Sequence, residues 1–362
     1  MSKETKMRCD KNLFSLGMLC AMAFIAGCAT VESEDYGPKL TTYSKNALMD
    51  KGEITLPPGF STSDFTHLVM AVNFKASDKL PQNVAPGEEP LPIDPTLSTR
   101  FQAEIDKMKR FTTVALHGVD TENDLATAAD LSNGNLEIAS QDKPLKVNVL
   151  LQGQLTGTKA RTVVRGTGAS PDTAQIVYKV YVTAICKDLR KGTVAFSEVA
   201  VGRARPRVQT LVSGRPRGGF DAKEQSAAIW EAAQNALLEL CNKLGNSFPA
   251  GGHVIAISRS GETMTLDKGF NDGIGVGQQC VIAVDDGGVT IPVALAEAYP
   301  EKNAPKSALK IYRWNDADKD AKAIIKDILG NPRGFMKENQ NGIFAVCYGM
   351  AVPPEWEQNA TK

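Results

Sequence analysis

What most limits this chain is a run of thirteen residues without a charge, Leu13 to Ile25 (LFSLGMLCAMAFI). Ahead of it stand Lys3, Lys6, Arg8 and Lys11 against Glu4 and Asp10, a local excess of two positive charges. A membrane-spanning helix needs about 20 apolar residues, so this run is too short to span. A basic leader, a short apolar run and small residues behind it mark a secretory signal. Everything downstream is therefore expected to fold outside the cytoplasm. The balance of 41 Lys+Arg against 41 Asp+Glu removes the basic excess that phosphate recognition requires, so no nucleic-acid partner is expected. Three histidines make a His-rich metal site unexpected, and no cofactor is implied. With 362 residues, at about 100–200 per domain, two domains are expected.

The apolar run ends in Ile25-Ala26-Gly27-Cys28. These residues resemble the lipobox of bacterial lipoproteins. The resemblance implies cleavage before Cys28, a thioether-linked lipid on its sulfur and fatty acylation of the new N-terminus. Several acyl chains anchor stably where a single chain is marginal. Position 29 is Ala rather than the Asp that holds enterobacterial lipoproteins at the inner membrane. That leans toward the periplasmic face of the outer membrane. Loss of residues 1–27 removes four basic and two acidic residues and leaves a mildly acidic mature chain.

Cys9 and Cys20 leave with the signal, so four cysteines remain besides Cys28: Cys186, Cys241, Cys280 and Cys347. An even number in an exported chain permits disulfides. Pairs Cys186–Cys241 and Cys280–Cys347 each stay within one expected domain; buried free thiols are the alternative.

Residues 28–60 are polar with scattered apolar residues and read as a tether. Thr66 to Phe74 (THLVMAVNF) is a buried-strand run, and the proline-rich stretch from Lys75 to Pro95 reads as a loop. Leu97, Phe101, Ile105 and Met108 are spaced 4, 4 and 3 apart, one face of a helix over 96–109. Phe111 to His117 is an expected strand, and Glu122 to Leu131 a short helix. Leu145–Leu155 and Ala174–Cys186 follow as strands, and Thr193–Val201 returns as a hairpin. A helix over 222–244 opens with Asp221 and Glu224 in capping-box positions and stops at Gly245. FPAGG at 248–252 reads as an interdomain joint. Beyond it, residues 253–355 read as a small β-rich domain with one helix over 316–329.

The order across residues 61–247 is strand, loop, helix, strand, helix, strand, long hairpin, long helix. With THLVMAVNF, the Lys109-Arg110-Phe111 step, FTTVALH, VLLQGQLTG and VYVTAICKDLRKGTV, it resembles the TolB N-terminal-like domain family, which includes the curli-secretion lipoprotein CsgG. The stretch from His253 to Ala283, a hairpin followed by a glycine-rich turn and another strand, resembles the C-terminal β-domain of the flagellar assembly protein FlgT. The two resemblances imply an α/β domain followed by a small β-rich domain. They imply a non-enzymatic structural or assembly component of envelope secretion or surface-structure assembly, with homo-oligomers in reach. A CsgG-type channel subunit is the alternative. It needs two amphipathic hairpins, each with strands of roughly 10 alternating residues. The available stretches, 159–173 and 202–220, are interrupted by Lys159, Arg161, Arg165 and five further arginines, so a pore of its own is not expected.

Those five, Arg203, Arg205, Arg207, Arg215 and Arg217, form the most polarised segment of the chain. They read either as a solvated loop or as a docking loop for an anionic lipid, polysaccharide or protein face. A periplasmic hydrolase is the remaining alternative, and its signals are poor. Gly273-Ile274-Gly275-Val276-Gly277 precedes a strand, whereas a dinucleotide loop opens a helix. Ser307-Ala308-Leu309-Lys310 sits in strand-like sequence without the companion motifs of penicillin-interacting enzymes. His67, His117 and His253 have no G-x-S-x-G to serve.

Overall fold

The computed structural model describes residues 38, 40–58, 60, 65–80, 84–115, 136–138, 145–166, 171–212, 215–216, 222–302 and 304–351. They form α1 (Lys45–Met49), β1 (Leu68–Ala76), β2 (Glu88–Leu91), α2 (Thr96–Lys107), β3 (Phe111–Ala115), β4 (Leu136–Ile138) and β5 (Leu145–Val147). Next come β6 (Val149–Val164), β7 (Thr173–Asp188), β8 (Thr193–Arg203), β9 (Arg207–Val212), β10 (Arg215–Pro216) and the long helix α3 (Ala222–Ser247). The chain ends with β11 (Gly251–Ile257), β12 (Thr263–Leu266), β13 (Gln278–Asp286), β14 (Val289–Pro300), β15 (Ser307–Trp314), α4 (Lys319–Gly330), α5 (Pro332–Glu338) and β16 (Ile343–Cys347). The architecture is mixed α/β: an eight-stranded sheet with helices, then a closed six-stranded barrel. The described residues from 38 onward belong to one unit.

In the sheet, β1 runs parallel to both β3 and β6, and the antiparallel strands β7 and β8 extend it. A strand covered on both faces reads as a continuous apolar run, which accounts for THLVMAVNF. Leu68, Met70, Val72 and Phe74 meet Leu97, Phe101 and Ile105 of α2 in the main core, while Ala71 packs with Val147, Leu150 and Leu189 on the other face. The α2 stripe is the one read from its spacing. Helix α3 contributes Ala228, Ala232, Ala233 and Ala236 to the same core. These small side chains let it close on β8, where a Cβ on Gly202 would run into the Ala232 carbonyl.

Three sequence expectations change here. The proline-rich stretch 75–95 is not all loop: β2 lies within it and pairs antiparallel with β6. Pro90 is tolerated because β2 is an edge strand and needs no N–H on its open side. The β6–β7 hairpin runs sixteen rungs, from Val149↔Asp188 to Val164↔Thr173, well past the expected strand ends. Its tip holds β-branched Thr162, Val163 and Val164, which favour the extended backbone. Finally, Gly245 does not stop α3. The helix continues to Ser247, with Met350 packed on the hydrogen face of Gly245. Asp221 and the helix expected over 122–131 lie outside the described residues.

The barrel closes in the order β11-β12-β15-β14-β13-β16. Cys280, Ile282 and Val284 of β13 and Ile343, Ala345 and Cys347 of β16 fill its interior together with Ala321, Ile325 and Ile328 of α4. The alternate residues Val281, Ala283, Phe344 and Val346 are buried as well, on the outside. They are covered by Leu48 and Ile54, with Tyr43, Leu56, Phe60 and Phe65 beside them. The stretch expected as a tether over 28–60 is therefore a strap from residue 40 onward. Ser44 caps α1 by accepting from the Ala47 N–H at 3.2 Å. The Arg313 guanidinium donates to the carbonyls of Leu48 and Met49 in the last turn of that helix and of Lys51 and Gly52 just beyond it. The Tyr348 hydroxyl donates to the Thr55 carbonyl, and Asn242 of α3 bonds both backbone groups of Thr41. FPAGG is likewise only partly a joint, since Gly251 and Gly252 already pair with β16.

Candidate functional site

Ile25, Ala26, Gly27 and Cys28 lie outside the described residues, as do Arg217 and His117. The arginine segment is the candidate site whose geometry can be followed. It is not a continuous loop. Arg203 closes β8, Arg207 opens β9, and Arg215 lies in β10. The crossover between the first two strands is pinned to α3. The Arg205 N–H donates to Glu231 Oε1 at 3.0 Å, Arg207 Nη2 donates to Glu231 Oε2 at 3.2 Å, and Asn235 Nδ2 donates to the Arg203 carbonyl at 2.8 Å. Glu231 thus neutralises Arg207, while the Arg205 side chain is exposed. Such partly exposed pairs contribute about 0–1 kcal/mol. The corner can offer an anion the exposed Arg205 side chain on the short connection between β8 and β9.

A second polar cluster was not legible in the sequence. Glu88 of β2 is buried against β6 and β7, where its carboxylate accepts from Thr158 Oγ1 at 2.7 Å, from the Tyr181 hydroxyl at 3.0 Å and from Lys179 Nζ. Burial pushes the Glu88 carboxyl up, but these hydrogen bonds and the Lys179 charge outweigh it and hold the group below its usual range. Burial and the Glu88 carboxylate push the Tyr181 phenol up to about 12. The cluster is a latch: it fastens the proline-rich insertion to the sheet with its charges matched.

Arg110 is the third feature. It is buried, and its guanidinium donates to the carbonyls of Phe248, Thr66 and Pro249, each at 3.1 Å. It joins the start of β3 to the segment linking α3 with β11. Its only sequence signal is an arginine between a helix and a strand.

The hydrolase candidates do not converge. Ser307 is fully buried on β15 and donates to the Lys268 carbonyl at 2.7 Å. Ser307 and Lys310 stand three residues apart on one strand and so face opposite sides, where an S-x-x-K nucleophile needs a helix. His67 bonds Thr112 Oγ1 at 2.8 Å, and His253 packs against the edge of Phe65. Gly273 and Gly277 take left-handed backbone, φ 86° and 72°, in a turn that leads directly into β13. A cavity of about 560 Å³ opens beside α4 and α5, lined by Asp286, Lys326, Asp327, Asn331, Phe335 and Glu338 among others. Among the described residues no group of three His, Cys, Asp or Glu side chains could hold a metal ion, and no helix is long and apolar enough to cross a membrane.

No family model matches the chain, and no curated protein matches it. Three solved structures match at low identity. A homolog of neuraminyllactose-binding hemagglutinin from Helicobacter pylori matches at 10% identity over 54% of this chain and 89% of that one, with a TM-score of 0.29. TolB from Acinetobacter baumannii matches at 9% identity over 67% of this chain and 38% of its own length, with a TM-score of 0.23. A hypothetical protein from Chlamydia trachomatis matches at 13% identity over 51% of this chain and 98% of that one, with a TM-score of 0.24. At these scores none bears on function.

Proposed function

We propose that this chain is a lipid-anchored envelope lipoprotein, held through Cys28 at the periplasmic face of the outer membrane and acting there as a non-enzymatic structural or assembly component. One observation carries the reading: a basic leader, a thirteen-residue uncharged run and the box Ile25-Ala26-Gly27-Cys28 stand in the order that export and lipidation require. The strap agrees with it. The chain packs against the sheet–helix core from Leu40, only twelve residues after Cys28, and against the barrel from Tyr43. An extended chain of twelve residues reaches at most about 40 Å, so in this reading the folded part would stand close to the membrane surface. In this reading residues 61–247 are a TolB N-terminal/CsgG-like domain and residues 253–355 a FlgT-like β-domain. Partners are other envelope proteins, anionic surface polymers met by the Arg203–Arg207 corner, or further copies of the chain.

A CsgG-type channel subunit is the second reading, and the tip of the β6–β7 hairpin favours it. Val163, Val164, Val208 and Val212 are exposed there. The alternating segment beyond the β2 pairing is four residues on β6, against the roughly 9–11 that a spanning strand needs. A non-pore component therefore remains the preferred reading.

The test is Cys28→Ala. The variant should lose acyl label and move from the membrane to the soluble fraction. Retention in the membrane with undiminished label would overturn the lipoprotein reading. Imaging of the lipidated wild type in detergent separates the two modes, since rings with a membrane barrel would establish the channel.

A further inference from the structure

The four cysteines left after Cys28 are free thiols in the structure, and they are of two kinds. Cys186 on β7 and Cys241 on α3 are buried in the sheet–helix core and make no sulfur contact with one another among the described residues. Cys280 on β13 and Cys347 on β16 stand directly opposite in register, with their sulfur atoms 2.8 Å apart. That is closer than two unbonded sulfurs ordinarily approach.

The hydrogen-bond parity of the two strands favours a bond at this position. The Tyr348 N–H donates to the Gln279 carbonyl at 2.7 Å, whereas the Cys347 N–H turns the other way, to the Ala250 carbonyl at 2.8 Å. Cys280 and Cys347 are therefore a non-hydrogen-bonded pair. Such pairs bring their Cα atoms to about 4.5 Å with the side chains close together. Disulfides take Cα separations of about 4.4–6.8 Å, so the pair fits without backbone movement.

We propose that Cys280 and Cys347 form a disulfide when the chain folds in an oxidising compartment, and that the bond locks the barrel shut. Strand β16 is the last in sequence among the described residues and pairs with both β11 and β13, so it is the closing strand. The bond would fix it to β13 and prevent its release.

The oxidant is a disulfide-bearing molecule, either a small organic disulfide or an exchange protein. One cysteine thiolate attacks that disulfide, giving a mixed disulfide and one released thiol. The second thiolate then displaces the other half. The two cysteines lose two electrons, the oxidant gains them, and the two protons end on its released thiols. Both cysteine sulfurs are fully enclosed, so the exchange precedes closure of the barrel. Burial also pushes the Cys280 thiol up, which keeps the closed, reduced barrel unreactive.

The inference uses the export reading only to supply the oxidant, and the test separates the two. The full chain, reduced and unfolded, is refolded with excess oxidised glutathione, alkylated, cleaved and mapped by mass spectrometry. A linked peptide pair holding Cys280 and Cys347 is expected, with Cys186 and Cys241 alkylated. Reductant should lower the midpoint of thermal unfolding by roughly 5–10 °C. The paired variant Cys280→Ala/Cys347→Ala should be indifferent to reductant. Alkylation of both Cys280 and Cys347 after refolding would overturn the proposal whatever the variants do. The same map is then made on protein drawn from the cell envelope under acid trapping. A pair linked in vitro but alkylated there would sustain the bond and overturn the export reading instead.

Discussion

The eight-stranded sheet and the barrel both contain strands buried on two faces, but they cover those strands differently. In the sheet, β1 is covered by helices that follow it in sequence, and its second face needs only the small cluster of Ala71, Val147, Leu150 and Leu189. In the barrel, the inner faces of β13 and β16 are satisfied by barrel closure and the outer faces by a strap from some 230 to 300 residues earlier. The lesson is that an apolar run announces burial without saying what does the burying. The sheet carries its cover locally, whereas the barrel depends on a long-range one.

That contrast can be tested at three places. Arg110 fastens the start of β3 to the segment leading from α3 into the barrel, so its loss should have the largest effect. Arg110→Ala leaves three carbonyls, those of Phe248 and Pro249 buried, without their charged donor and should cost about 3–5 kcal/mol, read as a fall in the urea midpoint. Arg110→Lys should recover less than half of this, because an ammonium cannot reproduce the planar fork. Next is the strap. Ile54→Ala should cost about 2–4 kcal/mol. Hydrogen exchange should rise in β13 and β16 while β1 and β6 keep their protection. Equal loss of protection in both regions would erase the distinction drawn between them.

The smallest effect should come from Glu88→Gln, at about 1.5–3 kcal/mol, confined to the attachment of β2. It carries a pH signature. The folded-state value of Glu88 is depressed, so its stabilisation is present above the unfolded glutamate value and is lost as pH falls through the folded one. Wild type should lose this increment in acid, below about pH 4, and Glu88→Gln should show a flatter acid limb in chemical denaturation.

Much of the fold was legible wherever the pattern is local. The 4, 4, 3 spacing of Leu97, Phe101, Ile105 and Met108 is a helix face whatever lies around it. The turns at 188–192 and 285–288 announce their hairpins. The candidate sites were less legible. Arg203, Arg205 and Arg207 are conspicuous as a cluster of charge, but the pairing of Arg207 with Glu231, from a helix more than twenty residues on, has no local sign. Glu88 sits among prolines and meets Lys179 and Tyr181 only because β6 separates β2 from β7 by one strand.

By itself, then, the sequence determined the uncharged run of residues 13–25 with Ile25-Ala26-Gly27-Cys28 at its end, the periods of the main helices and strands, and the charges each segment carries. These follow from properties of neighbouring residues. Only the tertiary structure decided that residues 40–60 are a strap, that Arg110 ties β3 to the segment between α3 and β11, and that Cys280 stands against Cys347 rather than any other thiol. Each of these depends on which distant backbone comes within a few ångströms, and that is settled by packing and strand register.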